Sequence, residues 1–377
     1  MTLRHSLAVL AALVLAGPAL AQEKLPDGAK ITKLDVRPAA VELTGPFGYA
    51  QLLVTATLDT GDVIDVTRAA TFAAPKAVQV SATGLVRPTA DGKGDIAAAV
   101  GGKQVRVPVA VSGFGDDKPV SFVTDIQPVL GRLGCNAGTC HGAQAGKNGF
   151  KLSLRGYDSI YDYRALTDDL EGRRFNRAAP EKSLMLLKPA GAVPHQGGVT
   201  MSAGDPNYEL IRRWIAQGVK LDLDAPRVKS LEIFPKNPTI GRIGQKQQFA
   251  AVATYTDGRT RDVTAEAFVE SSNTEVATVD KANLVTTLRR GEATMLARYE
   301  GAYAASTLVI MGDRTGFEWK QQPVYSYVDE LVDAKLKKVQ VQASDLADDA
   351  TFLRRVYLDL TGLPPTAEQV REFLADG

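Results

Sequence analysis

The sequence predicts a multidomain chain in which two all-β sandwiches flank a central all-α module and a further helical segment follows. Three observations predict it. A pattern of short alternating strands occurs twice, at an offset of 197 residues. Between the copies the apolar period changes from two to that of an amphipathic helix. Beyond the second copy, cap residues and helical spacings return.

The N-terminal stretch MTLRHSLAVLAALVLAGPALAQ places Arg4 before a short apolar run, Leu7 to Ala16, and ends in the small-x-small pattern Ala19-Leu20-Ala21. This predicts a secretory signal peptide over 1–21, cleaved after Ala21, and so a periplasmic or extracellular, cell-surface protein. The run is short for a span and Gly17-Pro18 interrupts it, so the mature chain is expected to carry no membrane span. A net charge of +1 excludes the strongly basic surface of a nucleic-acid binder. No phosphate loop, Ser-His-Asp set or paired catalytic carboxylates is legible, which leaves enzymatic activity unassigned.

The first sandwich is expected over 28–112 and the second over 228–312. Leu34 and Pro38 recur as Leu231 and Pro235. The stretch ATLDTGDVIDVT (56–67) recurs as ATYTDGRTRDVT (253–264). Runs such as Gln51 to Thr57 and Phe249 to Tyr255 alternate and end in Asp/Gly turns, as strands of a sandwich do.

The central module is expected over 119–222. Phe122, Ile126, Val129, Leu130 and Leu133 fall on one helical face. Tyr208, Ile211, Trp214 and Ile215 fall on another, closed by Gly218. The last segment, 320–377, predicts helices capped by Asp348 or Asp349 and by Thr366, with Gly362 and Pro364-Pro365 as the stop between them. It is a small core, expected to belong to a larger helical domain cut short here.

Between the central helices lies GCNAGTCHGAQ, residues 134–144, which holds both cysteines of the chain. With His5 in the signal, the mature chain retains Cys135, Cys140, His141 and His195. A c-type haem is attached by C-x-x-C-H. Here the spacing is C-x4-C-H, with Asn136-Ala137-Gly138 suited to a bulge. On this reading Cys135 and Cys140 are covalent haem attachment sites and His141 is the proximal iron ligand. His195, in VPHQGG, is the favoured distal ligand and Met201 the alternative. The competing reading is a Cys135–Cys140 disulfide with no haem. Zinc and a Cys–His nucleophile fit the spacing and compartment less well.

The openings L-x-(I/V)-x-P, the centres A-T-x-x-x-G-x-x-x-D-V-T and SSNTEVATVD (271–280) resemble bacterial Ig-like domains of group 2 (BIG2). GCNAGTCHGAQAGKNGFKLSLRGYD, PHQGG and YELIRRWIAQG are similar to the cytochrome c-like module of large planctomycete-type secreted proteins. LRRVYLDLTGLPPTAEQVREFL (353–374) is similar to the opening of a helical domain of unknown function, DUF1549. The resemblance implies haem c, electron transfer, and a redox partner protein or C-terminal domains lying downstream. The alternative expectation is a cell-surface Ig-like binding or adhesion protein, with envelope or glycan contacts through its Ig-like domains and no cofactor.

Overall fold

The computed structural model describes residues 25–26, 28–170, 172–312, 314 and 316–376. The expected signal peptide lies outside the described residues. The chain divides into two compact units, Met1–Gly312 and Asp313–Gly377.

In the first unit the sequence repeat is a repeat of strand order. The first copy runs β1 (Ile31–Arg37), β2 (Val41–Thr44), β3 (Ala50–Gln51), β4 (Leu53–Leu58), β5 (Val63–Asp65), β6 (Thr71–Ala73), β7 (Val78–Val80), β8 (Leu85–Pro88), β9 (Gly92–Val100) and β10 (Lys103–Ser112). Its sheets are ordered β1-β4-β5, β2-β10-β9-β6 and β3-β8-β7.

The second copy runs β11 (Val228–Phe234), β12 (Thr239–Ile240), β13 (Lys246–Gln248), β14 (Ala250–Tyr255), β15 (Thr260–Asp262), β16 (Phe268–Ser271), β17 (Ala277–Val279), β18 (Leu284–Thr287), β19 (Gly291–Tyr299) and β20 (Ala302–Ile310). Its sheets are ordered β11-β14-β15, β12-β20-β19-β16 and β13-β18-β17, the same pattern moved on by ten strands. Register repeats too. Leu34 faces Ala56 across β1 and β4, and Leu231 faces Ala253 across β11 and β14.

Alternation decides which side chains enter the sandwiches, because successive residues of a strand point to opposite faces. Val54 and Ala56 in the first copy, and Ala251 and Ala253 in the second, are fully buried. The repeated Asp-Val-Thr is a local lock. One oxygen of Asp65 accepts from Thr67 N at 2.8 Å, and Thr67 Oγ1 accepts from Val54 N at 2.8 Å. Asp262 and Thr264 do the same, with Thr264 Oγ1 accepting from Ala251 N at 2.9 Å.

The central segment departs from the expected all-α module. A π-helical turn, Phe122–Ile126, leads into α1 (Gln127–Arg132), followed by α2 (Ser159–Thr167), α3 (Leu184–Leu187) and α4 (Pro206–Ala216). Turns and loops fill the stretches between them. Trp214 and Phe122 form the centre, their rings stacked at 5.4 Å, with Phe175 edge-on to Trp214 at 5.5 Å. Leu152, Leu186, Ile211 and Ile215 close the core around them. Short helices suffice because the cluster is aromatic and large rings bury much area per residue.

The second unit contains α5 (Tyr327–Lys338), α6 (Asp349–Thr361) and α7 (Ala367–Ala375). Asp348 caps α6 through Thr351 N at 2.7 Å, and Thr366 with Gln369 forms a capping box on α7. Gly362 ends α6 at φ 74°, a left-handed position where glycine carries no Cβ penalty. Among the described residues of this unit, Leu353 is the buried hydrophobic one, with Phe352 and Phe373 stacked at 6.3 Å. No helix among the described residues is long and apolar enough to cross a membrane.

Candidate functional site

Two places gather the chemistry of the chain: the Cys/His loop and a joint where three modules meet. In the loop, Cys135 N donates to Leu130 O at 2.9 Å, and His141 N donates back to Cys135 O at 3.0 Å. The seven residues from Cys135 to His141 thus close on themselves. Gly142 is required there, because a Cβ would fall 2.0 Å from Asn136 O. Both cysteines are free thiols. Burial of its thiol pushes Cys135 up to about 12, and the neighbouring Cys140 adds to the effect. A thiol held protonated is a poor nucleophile, so the pair is not a poised Cys–His centre.

His141 Nδ1 lies 3.1 Å from Phe150 O, and its ring is tilted against the Phe150 ring at 4.5 Å. Burial lowers its pKa. The Phe150 carbonyl opposes this, and the charges of His195, Arg174 and Lys188 lower it further. Arg174 is buried and lies 4.0 Å from the Phe150 ring centroid. His195 is half-buried, with Nδ1 3.0 Å from Gly198 O. Met201 is only 4% exposed and belongs to the Trp214 core.

The second place is a cavity of about 1080 Å³ lined by both sandwiches and the central module. None of Cys135, Cys140, His141, His195 and Met201 lines it. At its wall, Arg261 pairs with Asp125 of the central module at 2.8 Å and donates to Thr124 O at 3.0 Å. It also reaches Glu266 at 3.8 Å. Glu266 accepts from the hydroxyl of Tyr49, in the first sandwich, and that hydroxyl accepts from Ala265 N at 2.9 Å.

The two sandwiches meet reciprocally beside this wall. Asp262 accepts from Gln51 N at 2.6 Å, and Asp65 accepts from Gln248 N at 2.6 Å. Asp65 and Asp262 are equivalent in the repeat, as are Gln51 and Gln248. Each sandwich therefore offers the other the same pair of groups. Leu53, Phe234 and Ala250 form a small apolar core at the same interface. The recurrence of Asp in both Asp-Val-Thr copies was the sequence signal for this contact, but one oxygen serves the local turn and only the other crosses.

Residues 227–297 match the family described as bacterial Ig-like domain (group 2). Residues 327–377 match the family described as protein of unknown function (DUF1549). No curated protein matches the chain. Among solved structures, domains 1–6 of the surface layer protein SbsC are 12% identical over 76% of this chain, with a TM-score of 0.21. The chain spans 28% of the length of that structure. SbsC domains 5–6 are 12% identical over 76% of this chain and 100% of their own length, with a TM-score of 0.30. Extracellular domains 3–5 of Drosophila OTK are 7% identical over 75% of this chain and 63% of theirs, with a TM-score of 0.16. Scores this low carry no argument about function.

The expectation of a haem c electron carrier is corrected. The matched families are an Ig-like domain and a helical protein of unknown function, and neither matched range includes the Cys/His loop. Among the described residues, no group of three or more His, Cys, Asp or Glu side chains is arranged to hold a metal ion. The space between the central helices is filled by Trp214, Phe122 and Phe175 packed ring on ring. Met201 is part of that packing, and desolvation pushes the half-buried Cys135 thiol up to about 12. The redox-partner expectation falls with the haem.

Proposed function

We propose that the chain is an exported cell-surface interaction protein in which two Ig-like modules, clasped to each other, form a rigid support for contacts with glycan or envelope partners. The observation that carries this is the reciprocal Asp–Gln exchange between the sandwiches. A tandem pair joined by a flexible linker is free to reorient, whereas a pair joined through equivalent surfaces behaves as one body. The class of function comes by analogy of fold, since Ig-like modules serve widely as spacers and adhesion units.

Export follows from the signal-like N-terminus, with cleavage after Ala21, and it sets the fate of the two thiols. In an oxidising exterior we infer that Cys135 and Cys140 join as a disulfide that braces the loop closed by the His141–Cys135 backbone bond. The two thiols would give up two protons and two electrons to a disulfide-bearing oxidant, which is reduced to its dithiol.

The test is co-sedimentation of residues 22–377 with purified cell-wall sacculi and with isolated surface polysaccharide. Saturable binding that excess soluble glycan competes away supports the reading. Failure to bind either material overturns it.

A further inference from the structure

The cavity of about 1080 Å³ where the sandwiches meet the central module has the size of a ligand site, roughly 300–1,000 Å³, and the usual place for one, a domain interface. Its walls are set before anything enters. Asp262 accepts from Gln51 N across the two sandwiches, and Arg261 ties down Asp125 of the central module. A preformed site binds without the cost of ordering its walls.

Most carboxylates of the lining already have partners. Asp125 and Glu266 meet Arg261, Asp262 meets Gln51 N, and Asp222 accepts from Phe122 N at 3.0 Å. Arg37 and Arg87 differ. Arg37 rests 3.6 Å from the centroid of the Phe234 ring and Arg87 5.6 Å from that of Tyr49. Among the described residues neither is paired with a carboxylate. A guanidinium held over a ring keeps the N–H donors of its edge available in a defined plane. Glu42 is the matching acceptor. Val41 and Leu43 of β2 enter the core, so alternation leaves Glu42 exposed in the lining, with no base paired to it among the described residues. Phe47, half-buried, adds an aromatic surface to the same lining.

We propose that this cavity binds a neutral oligosaccharide segment of the surface glycan, with Arg37 and Arg87 donating to sugar oxygens, Glu42 accepting from sugar hydroxyls and Phe47 covering a C–H face. The charge of the lining decides between neutral and acidic glycans. It carries six basic and seven acidic side chains, a near balance that gives no pull on a polyanion. Spare donors beside a spare acceptor instead suit hydroxyl groups, which both donate and accept. The assignment rests on the surface-interaction reading and gives that reading a site and a glycan class.

The experiment uses the chain of the sedimentation assay. Oligosaccharides released from the same surface polysaccharide by partial hydrolysis are separated on an anion exchanger, and the neutral and acidic fractions are titrated calorimetrically. The neutral fraction is expected to bind more tightly. Arg87→Gln and Glu42→Gln are each expected to weaken it about tenfold, the loss of one hydrogen bond to a charged group, with the urea midpoint checking that each variant is folded. In the wild type, the neutral fraction is also expected to protect Arg37 and Arg87 from a dicarbonyl reagent, read by peptide mass analysis. Tighter binding of the acidic fraction, or wild-type affinity in both variants with both arginines unprotected, overturns the cavity site while sedimentation with sacculi still stands. A wild-type chain that binds neither fraction nor sacculi overturns the surface-interaction reading and the site together.

Discussion

The guanidinium carbon of Arg37 lies 3.6 Å from the centroid of the Phe234 ring, and the two residues hold the same position in the two copies of the repeat. Each precedes a cis-proline, Pro38 or Pro235. An interface that brings equivalent positions together is isologous, the arrangement of a two-fold homodimer, here made within one chain. The two positions carry different residues, so their meeting is a complementary cation–ring contact instead of two identical side chains opposed.

The Arg37–Phe234 contact sets the first prediction. A double-mutant cycle with Arg37→Ala and Phe234→Ala is expected to give a coupling energy of about 0.5–2 kcal/mol in urea unfolding. Additive single effects would show that the stacking contributes nothing to the clasp.

Asp65 and Asp262 each accept two backbone N–H groups, one local and one from the other sandwich. Replacing either by alanine leaves both donors without that acceptor. Each variant is expected to lose about 1–3 kcal/mol of stability, the range for a buried group left unsatisfied. Comparison of urea midpoints checks this. A loss in one variant but none in the other would contradict the equivalence of the two contacts.

Met201 packs in the Trp214 core. Met201→Ala is therefore expected to cost about 2–5 kcal/mol, and Met201→Leu less than about 1.5 kcal/mol, both read from thermal unfolding. If leucine were as damaging as alanine, volume would not be what the site needs.

In the reduced protein, the Cys135 thiol stays protonated well above neutral pH because burial holds it near 12. Alkylation at pH 8 followed by peptide mass analysis is expected to modify Cys140 first, and Cys135 only in denaturant. Equal labelling of both under native conditions would show that Cys135 is not shielded.

Burial makes the fold sensitive to the charge of His141. Its pKa is lowered, with burial the first cause. The charged form is thus disfavoured in the folded state, and this residue's contribution falls as pH drops through its unperturbed value, about 6.5. Histidine-resolved NMR titration is expected to give a lower midpoint for His141 than for a free imidazole. His141→Phe is expected to remove that part of the acid sensitivity from the unfolding curve.

Much of the architecture was legible because it is written in local or periodic signals. Alternation gave the strands, the 197-residue offset gave the repeated module, and Asp348, Gly362 and Thr366 marked helix ends through bonds to their immediate neighbours. The Cys/His loop misled for a related reason. Its spacing is local and visible, but whether a histidine or methionine can reach a common centre depends on residues far away in the chain. Met201 looked like a loop ligand until Trp214 and Phe122 were seen around it.

The sequence by itself determined the Ig-like modules, their duplication and the helix caps, since each depends on contacts within a strand, a turn or a single repeat. Only the tertiary structure decided that the duplicated modules clasp each other and that the central core is filled by aromatic rings. Asp65 and Gln248 are 183 residues apart, and no periodicity encodes a contact at that range. It exists because the central module folds back and returns the second copy to the first, so that two equivalent surfaces meet with complementary groups.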